Sequence, residues 1–139
     1  MDIRPNRKAG LPTPDPTITH HQTGERITFL EADPLVMEDE VPAGSGRGRE
    51  HAHPSQTESF EVLSGTYTLV VDGDERPLHA GDTAEIPPGA VHSGWTDEGA
   101  ILRITFTPAL RWEQFVRRLF AGEPAARLLH HFRDEIRLP

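Results

Sequence analysis

The 139-residue chain contains no cysteine, which excludes disulfides and thiolate metal sites and leaves nitrogen and oxygen as the donors for any bound metal. It is poor in positive charge. Against 22 Asp and Glu stand 14 Lys and Arg, a formal net charge of −8 with no basic block, so a nucleic-acid partner is not expected. Long apolar runs are missing too: no stretch approaches the roughly 18 residues that a membrane span needs. Met1 to Pro16 is polar and proline-rich, without the apolar centre of a secretion signal, and a soluble cytoplasmic protein is the expectation. Length allows one domain with a real core and no second.

What is present is a succession of short β-type runs. Residues 1–16 read as an extended arm, with Pro5, Pro12, Pro14 and Pro16 and few large apolar groups. Arg26–Leu30 and Leu35–Met37 suggest edge-type strands. The centre is clearer. Ser59–Leu63 and Thr66–Val71, joined at Ser64-Gly65, are followed by the Asp72-Gly73 hairpin signal, Glu75–His79, Thr83–Ile86, Ala90–Trp95 and Ala100–Phe106. Pro88-Gly89 suits a type II turn, in which glycine supplies positive φ. So many short strands predict an all-β sandwich or barrel over residues 17–107, not a βαβ sheet. After Thr107 the period becomes helical. Trp112, Phe115, Val116, Leu119 and Phe120 share a face, with Thr107 as N-cap and Pro108 at the first helical position. Gly122 can end that helix, and Pro124 can start a second carrying Leu128, Leu129, Phe132 and Ile136, so residues 108–139 form a helical segment expected on the barrel's outer face.

Within the strands, His51 and His53 stand two apart and project to one face. Glu58 follows after a short connection, and His92, just past the Pro88-Gly89 turn, can arrive from another strand. Three imidazoles and a carboxylate suit iron, manganese, nickel, cobalt, copper or zinc better than magnesium or calcium. Taken singly, each residue has a plainer reading: His-x-His as a surface-strand pair, Glu58 as a solvated carboxylate, His92 as a turn histidine. His20-His21 and His130-His131 read as surface, because neighbours on a strand or helix point apart. Other acidic candidates for a general acid or base, such as Asp39, are too weakly placed to be assigned.

The frame around the four residues resembles the two motifs of the cupin superfamily. His51-x-His53, four residues to Glu58 and six more to Gly65 match the first motif; Gly81, five residues to Pro87, one to Gly89 and two to His92 match the second. Together they cover residues 44–96, with two departures at positions that are not ligands: Ser45 and Thr96 replace a usual glycine and asparagine. The resemblance implies a jelly-roll-like barrel, or double-stranded β-helix, holding one divalent transition metal through His51, His53, Glu58 and His92. Four protein ligands in an octahedral shell leave two adjacent positions open. The expected function is therefore a mononuclear metal-dependent enzyme acting on a small organic molecule, a dioxygenase first. The alternatives are a non-redox cyclase, isomerase or lyase of secondary metabolism, or a non-catalytic binding module. Glu58 is the candidate proton acceptor. Strand parity with Glu58 nominates Phe60 and Val62 for the pocket; Ile104 and Phe106 share one face of the last strand, and Trp95 stands near the barrel mouth. A homodimer formed through the arm and edge strands is expected by the same resemblance.

Overall fold

A computed structural model describes residues 14–45 and 48–139, so the arm expected over residues 1–16 lies almost wholly outside the described residues. Eight strands and two helices follow in chain order: β1 (Thr17–Thr19), β2 (Arg26–Ala32), β3 (Leu35–Val41), β4 (Thr57–Val71), β5 (Asp74–His79), β6 (Thr83–Ile86), β7 (His92–Trp95), β8 (Ala100–Thr107), α1 (Trp112–Phe120) and α2 (Ala125–His131). Every pairing is antiparallel. The order β1-β2-β3-β8-β4-β5, with β6 and β7 also on β4, makes β4 the spine of the barrel.

The runs on either side of Ser64-Gly65 form one 15-residue strand. Its first half pairs with β6 and β8, its second half with β5 and β7, and the register against β8 slips between Val62 and Ser64. A slip of this kind bends a strand and raises its twist, which lets one strand serve both sheets. Gly65 is required at the bend. Its φ is +76°, and a Cβ there would run into the Gly99 carbonyl. Leu35–Val41, expected at an edge, is interior instead, between β2 and β8, because its alternating Leu35, Met37 and Asp39 are all buried.

The core follows the period of two. In β8, Ala100, Leu102, Ile104 and Phe106 are buried while Arg103 and Thr107 are exposed. Phe29, Leu35, Val62, Leu69 and Ile86 complete the barrel interior, and Trp112, Phe115, Phe120, Leu128 and Phe132 join the same cluster from the helical segment. The first helix begins later than Thr107-Pro108. Gln56 Nε2 donates to the carbonyls of Pro108 and Ala109, the Ala109 amide donates to Asp33 Oδ1, and Leu110 takes a positive φ of 46°. Residues 107–111 are thus held as a turn against the barrel. Asp15 and Pro16 are pinned by their carbonyls, which accept from Arg117 and from the Phe29 amide.

Candidate metal centre

The segment carrying His51 and His53 is fixed by two short backbone pairings. His51 and His92 exchange both amide bonds, at 3.0 and 2.9 Å, which sets His92 directly across from His51. Ala52 does the same with Arg137, at 2.8 and 2.9 Å, tying the segment to the C-terminal residues. The Pro88-Gly89 turn is of the expected kind: Gly89 has φ +84°, the Ala90 amide returns to Pro87 O, and the Gly89 amide donates to His53 O. Glu58 reaches the site from the first turn of β4, opposite Ile86 and Phe106.

These elements bring the three histidines together, with Glu58 beside His53 and His92. The imidazole centroids of His51, His53 and His92 form a near-equilateral triangle with sides of 5.0, 4.4 and 5.0 Å. One nitrogen from each lies within 4.8 Å of the others, an arrangement that can hold a metal ion. Each ring donates its Nδ1 proton to a backbone carbonyl: His51 to Arg49 at 2.8 Å, His92 to Ala90 at 2.9 Å and His53 to Glu135 at 2.9 Å. A carbonyl only accepts, so these bonds orient the three rings with Nε2 toward the centre.

Glu58 Oε1 lies 3.0 Å from Nε2 of both His53 and His92. The His92 contact has hydrogen-bonding geometry, whereas the buried His53 Nε2 has no hydrogen-bond partner. Close approach without a bond means that a lone pair faces a carboxylate oxygen, which a cation between them would satisfy. The spacing agrees: two ligands at right angles, with bonds of about 2.1 Å, stand about 3.0 Å apart. The donor set and this orphaned nitrogen therefore fit a divalent transition metal.

Electrostatics act differently on each of these groups. Burial pushes the Glu58 pKa up, but the His53 and His92 imidazoles pull it down further, to about 2. It is a carboxylate across the neutral range. Burial lowers His51 to about 4, which keeps its imidazole neutral. For His92, burial works downward and the Glu58 contact wins, so its pKa rises.

The centre opens into a cavity of about 410 Å³. Phe60, Ile104 and Phe106 line it as expected, whereas Val62 and Trp95 do not. Val62 has the right parity but lies deeper along β4, where it is 1% exposed and packs in the core. Trp95, three residues from His92, falls on the other face of β7. The α1 stripe, expected on the outer face of the barrel, walls the cavity through Trp112, Phe115, Val116, Leu119 and Phe120. Glu25, Asp39 and Tyr67 also line it, and their strand phases carried the signal: Asp39 continues the apolar Leu35–Met37 alternation and Tyr67 that of Leu69. His21, His79, His130 and His131 are exposed and stand apart from the site. Of the two motif departures, Thr96 is buried, donates its hydroxyl to Thr66 O at 2.6 Å and accepts from the Gly99 amide, while its own amide bonds to Ser45 O. That loop is closed locally, away from the ligands.

Comparisons with known proteins agree with this architecture. The cupin domain family profile matches residues 37–107, half of the chain. A curated relative, quercetin 2,3-dioxygenase of Bacillus subtilis (strain 168), is 32% identical over 100 residues, covering 66% of this chain and 29% of the relative. An uncharacterized protein of Aquifex aeolicus (strain VF5) is 37% identical over 68 residues, covering 48% of this chain and 56% of that one. The chain thus spans less than a third of the first relative and about half of the second. Among solved structures, an RmlC-like cupin from Shewanella frigidimarina NCIMB 400 superposes with a TM-score of 0.60 at 25% identity, over 74% of this chain and 94% of that one. With the profile match running from β3 through β8 and both motifs inside it, the chain belongs to the cupin family.

Proposed function

We propose that this protein is a mononuclear metal-dependent cupin enzyme that acts on a small, largely apolar organic molecule, with dioxygenation as its reaction. The observation that carries the proposal is the convergence of three imidazole Nε2 atoms and Glu58 Oε1 at the wall of a cavity whose other walls are mostly apolar. His51, His53, His92 and Glu58 would hold the ion, and their donor chemistry suits iron, manganese, nickel, cobalt, copper or zinc. When bound, such a metal supplies Lewis acidity and open positions for oxygen or a chelating substrate.

The remaining steps belong to the chain. Phe60, Ile104, Phe106 and the α1 aromatics exclude water and orient the substrate's apolar body. Glu58 is the candidate acceptor of a substrate hydroxyl's proton, a role that would require it to leave the ion and the two imidazoles that hold its pKa at about 2. The similarity to quercetin 2,3-dioxygenase supports an oxygenase over a non-redox cyclase, isomerase or lyase. A homodimer is part of the proposal, since among the described residues β1 stands at the end of the strand order, with no strand paired on its outer side. Light scattering that finds a monomer would remove that part.

The decisive experiment combines elemental analysis of untagged protein with oxygen uptake across catechols, flavonols and diketones. Stoichiometric metal with oxygen consumption is expected. Full metal with unchanged compounds and no uptake would refute the dioxygenase assignment, and zinc in every native preparation would move it to Lewis-acid chemistry.

A further inference from the structure

The cavity has a second polar wall that the metal centre does not use. Asp39 points inward from the middle of β3, is only 7% exposed, and lines the cavity together with Glu25 and Tyr67. Its register neighbours, Ile27 on β2 and Leu102 on β8, are apolar, so neither adjacent strand offers it a partner. Among the described residues its Oδ1 has no hydrogen-bond partner. Glu25 lines the cavity with it and acts on the Asp39 carboxyl through its charge and a side-chain hydrogen bond, both of which favour the protonated form of Asp39. Burial first, then Glu25, Glu58 and Glu40, hold Asp39 well above the usual carboxylate range. With its proton directed to Glu25, the orphaned Oδ1 is a carbonyl-like acceptor.

A buried acceptor without a donor is costly, and a ligand that supplies the donor recovers that cost. The acidic neighbours also decide what the ligand is not. Glu25, Glu58 and Asp39 all line the cavity, and apart from the histidines the basic side chain among the described lining residues is the exposed Arg49. A carboxylate or phosphate is repelled here.

We propose that Asp39, backed by Glu25, is the second anchoring point of the cavity and binds a neutral hydroxyl at the far end of an otherwise apolar ligand. This deepens the enzyme reading above and rests on it, because the same ligand presents its other end to the His51–His53–His92 centre. Tyr67 flanks the anchor as a neutral phenol, its pKa driven upward by burial and then by Asp39, Glu58 and Glu25.

The test uses three probes with one apolar body: 2-naphthol, 2-methoxynaphthalene and 2-naphthoate, titrated by fluorescence into metal-free and zinc-loaded full-length protein. For metal-free wild type, 2-naphthol is expected to bind about tenfold more tightly than 2-methoxynaphthalene, and 2-naphthoate more weakly than either. Asp39→Leu should abolish the preference for naphthol while keeping methoxynaphthalene affinity and zinc stoichiometry. Asp39→Asn, which mimics the protonated carboxyl, should keep the preference. Equal binding of naphthol and methoxynaphthalene by wild type overturns the proposal whether or not Asp39→Leu folds, as does tightest binding of naphthoate or no naphthol binding at millimolar concentration. Zinc stoichiometry reads the metal site separately, so loss of metal with retained naphthol preference would refute the enzyme reading and leave this anchor standing.

Discussion

His53 Nδ1 donates to the backbone carbonyl of Glu135 at 2.9 Å, across 82 positions of chain. One bond thereby couples the orientation of a candidate metal ligand to the C-terminal segment. Glu135 is itself fixed: its carboxylate is 2% exposed and receives the Arg111 guanidinium at 2.9 and 3.3 Å and the Arg111 amide at 3.3 Å.

Arg111→Ala leaves that buried carboxylate without its cation. A fully buried pair broken this way costs about 3–5 kcal/mol, and because Arg111 is 42% exposed the expected loss is smaller, about 1–3 kcal/mol by urea unfolding. Metal affinity should fall several-fold as well, since His53 loses its orienting carbonyl. Unchanged metal affinity in a destabilised variant would show that the coupling stops at Glu135.

His51→Ala and His92→Ala should each reduce metal content in native preparations far below wild type, with folding retained by circular dichroism. In the wild type, zinc at about 100 times its dissociation constant should add about 2.7 kcal/mol of stability, visible as a rise in Tm that chelator reverses. Equal metal in wild type and both variants would defeat the assignment of the ligands.

The raised pKa of Asp39 gives stability a distinct pH dependence. Above about pH 4 the unfolded carboxyl is ionised while the folded one stays protonated, so the folded state binds more protons. Stability therefore falls as pH rises from about 4 toward the folded pKa. Glu25, Glu58 and Tyr67 line the cavity with Asp39, and Glu25, Glu58 and the outward-pointing Glu40 raise its pKa by their charge. Asp39→Asn removes the titration, so its advantage over wild type should grow with pH by up to about 1.4 kcal/mol per unit. A constant difference between pH 4 and 8 would contradict the buried, protonated state.

Gly65→Ala places a side chain at φ +76° and against the Gly99 carbonyl, where backbone must yield. A loss of about 2–4 kcal/mol is expected in chemical denaturation, larger than the strain of positive φ alone. Gly48→Ala, with open space around its Cβ, serves as the control and should change stability little.

Much of this protein is legible from its order of residues. Period-two alternation and turn chemistry gave the strands of β4 to β8, because each depends on neighbours two to four positions away. Spacing brought His51, His53, Glu58 and His92 into consideration as one set. Tertiary structure decided the rest. Parity says that Phe60 and Val62 face inward, but only depth along β4 separates the cavity wall from the core. A helical stripe says that Trp112 and Phe115 need an apolar surface, and both the inside and the outside of a barrel offer one. The inward phase of Asp39 was written in Leu35-Val36-Met37, yet its pairing with Glu25 and its place in the cavity depend on β2 and β4 closing around it. Local pattern fixes which way a side chain points; what it meets there is set by contacts between strands distant in sequence.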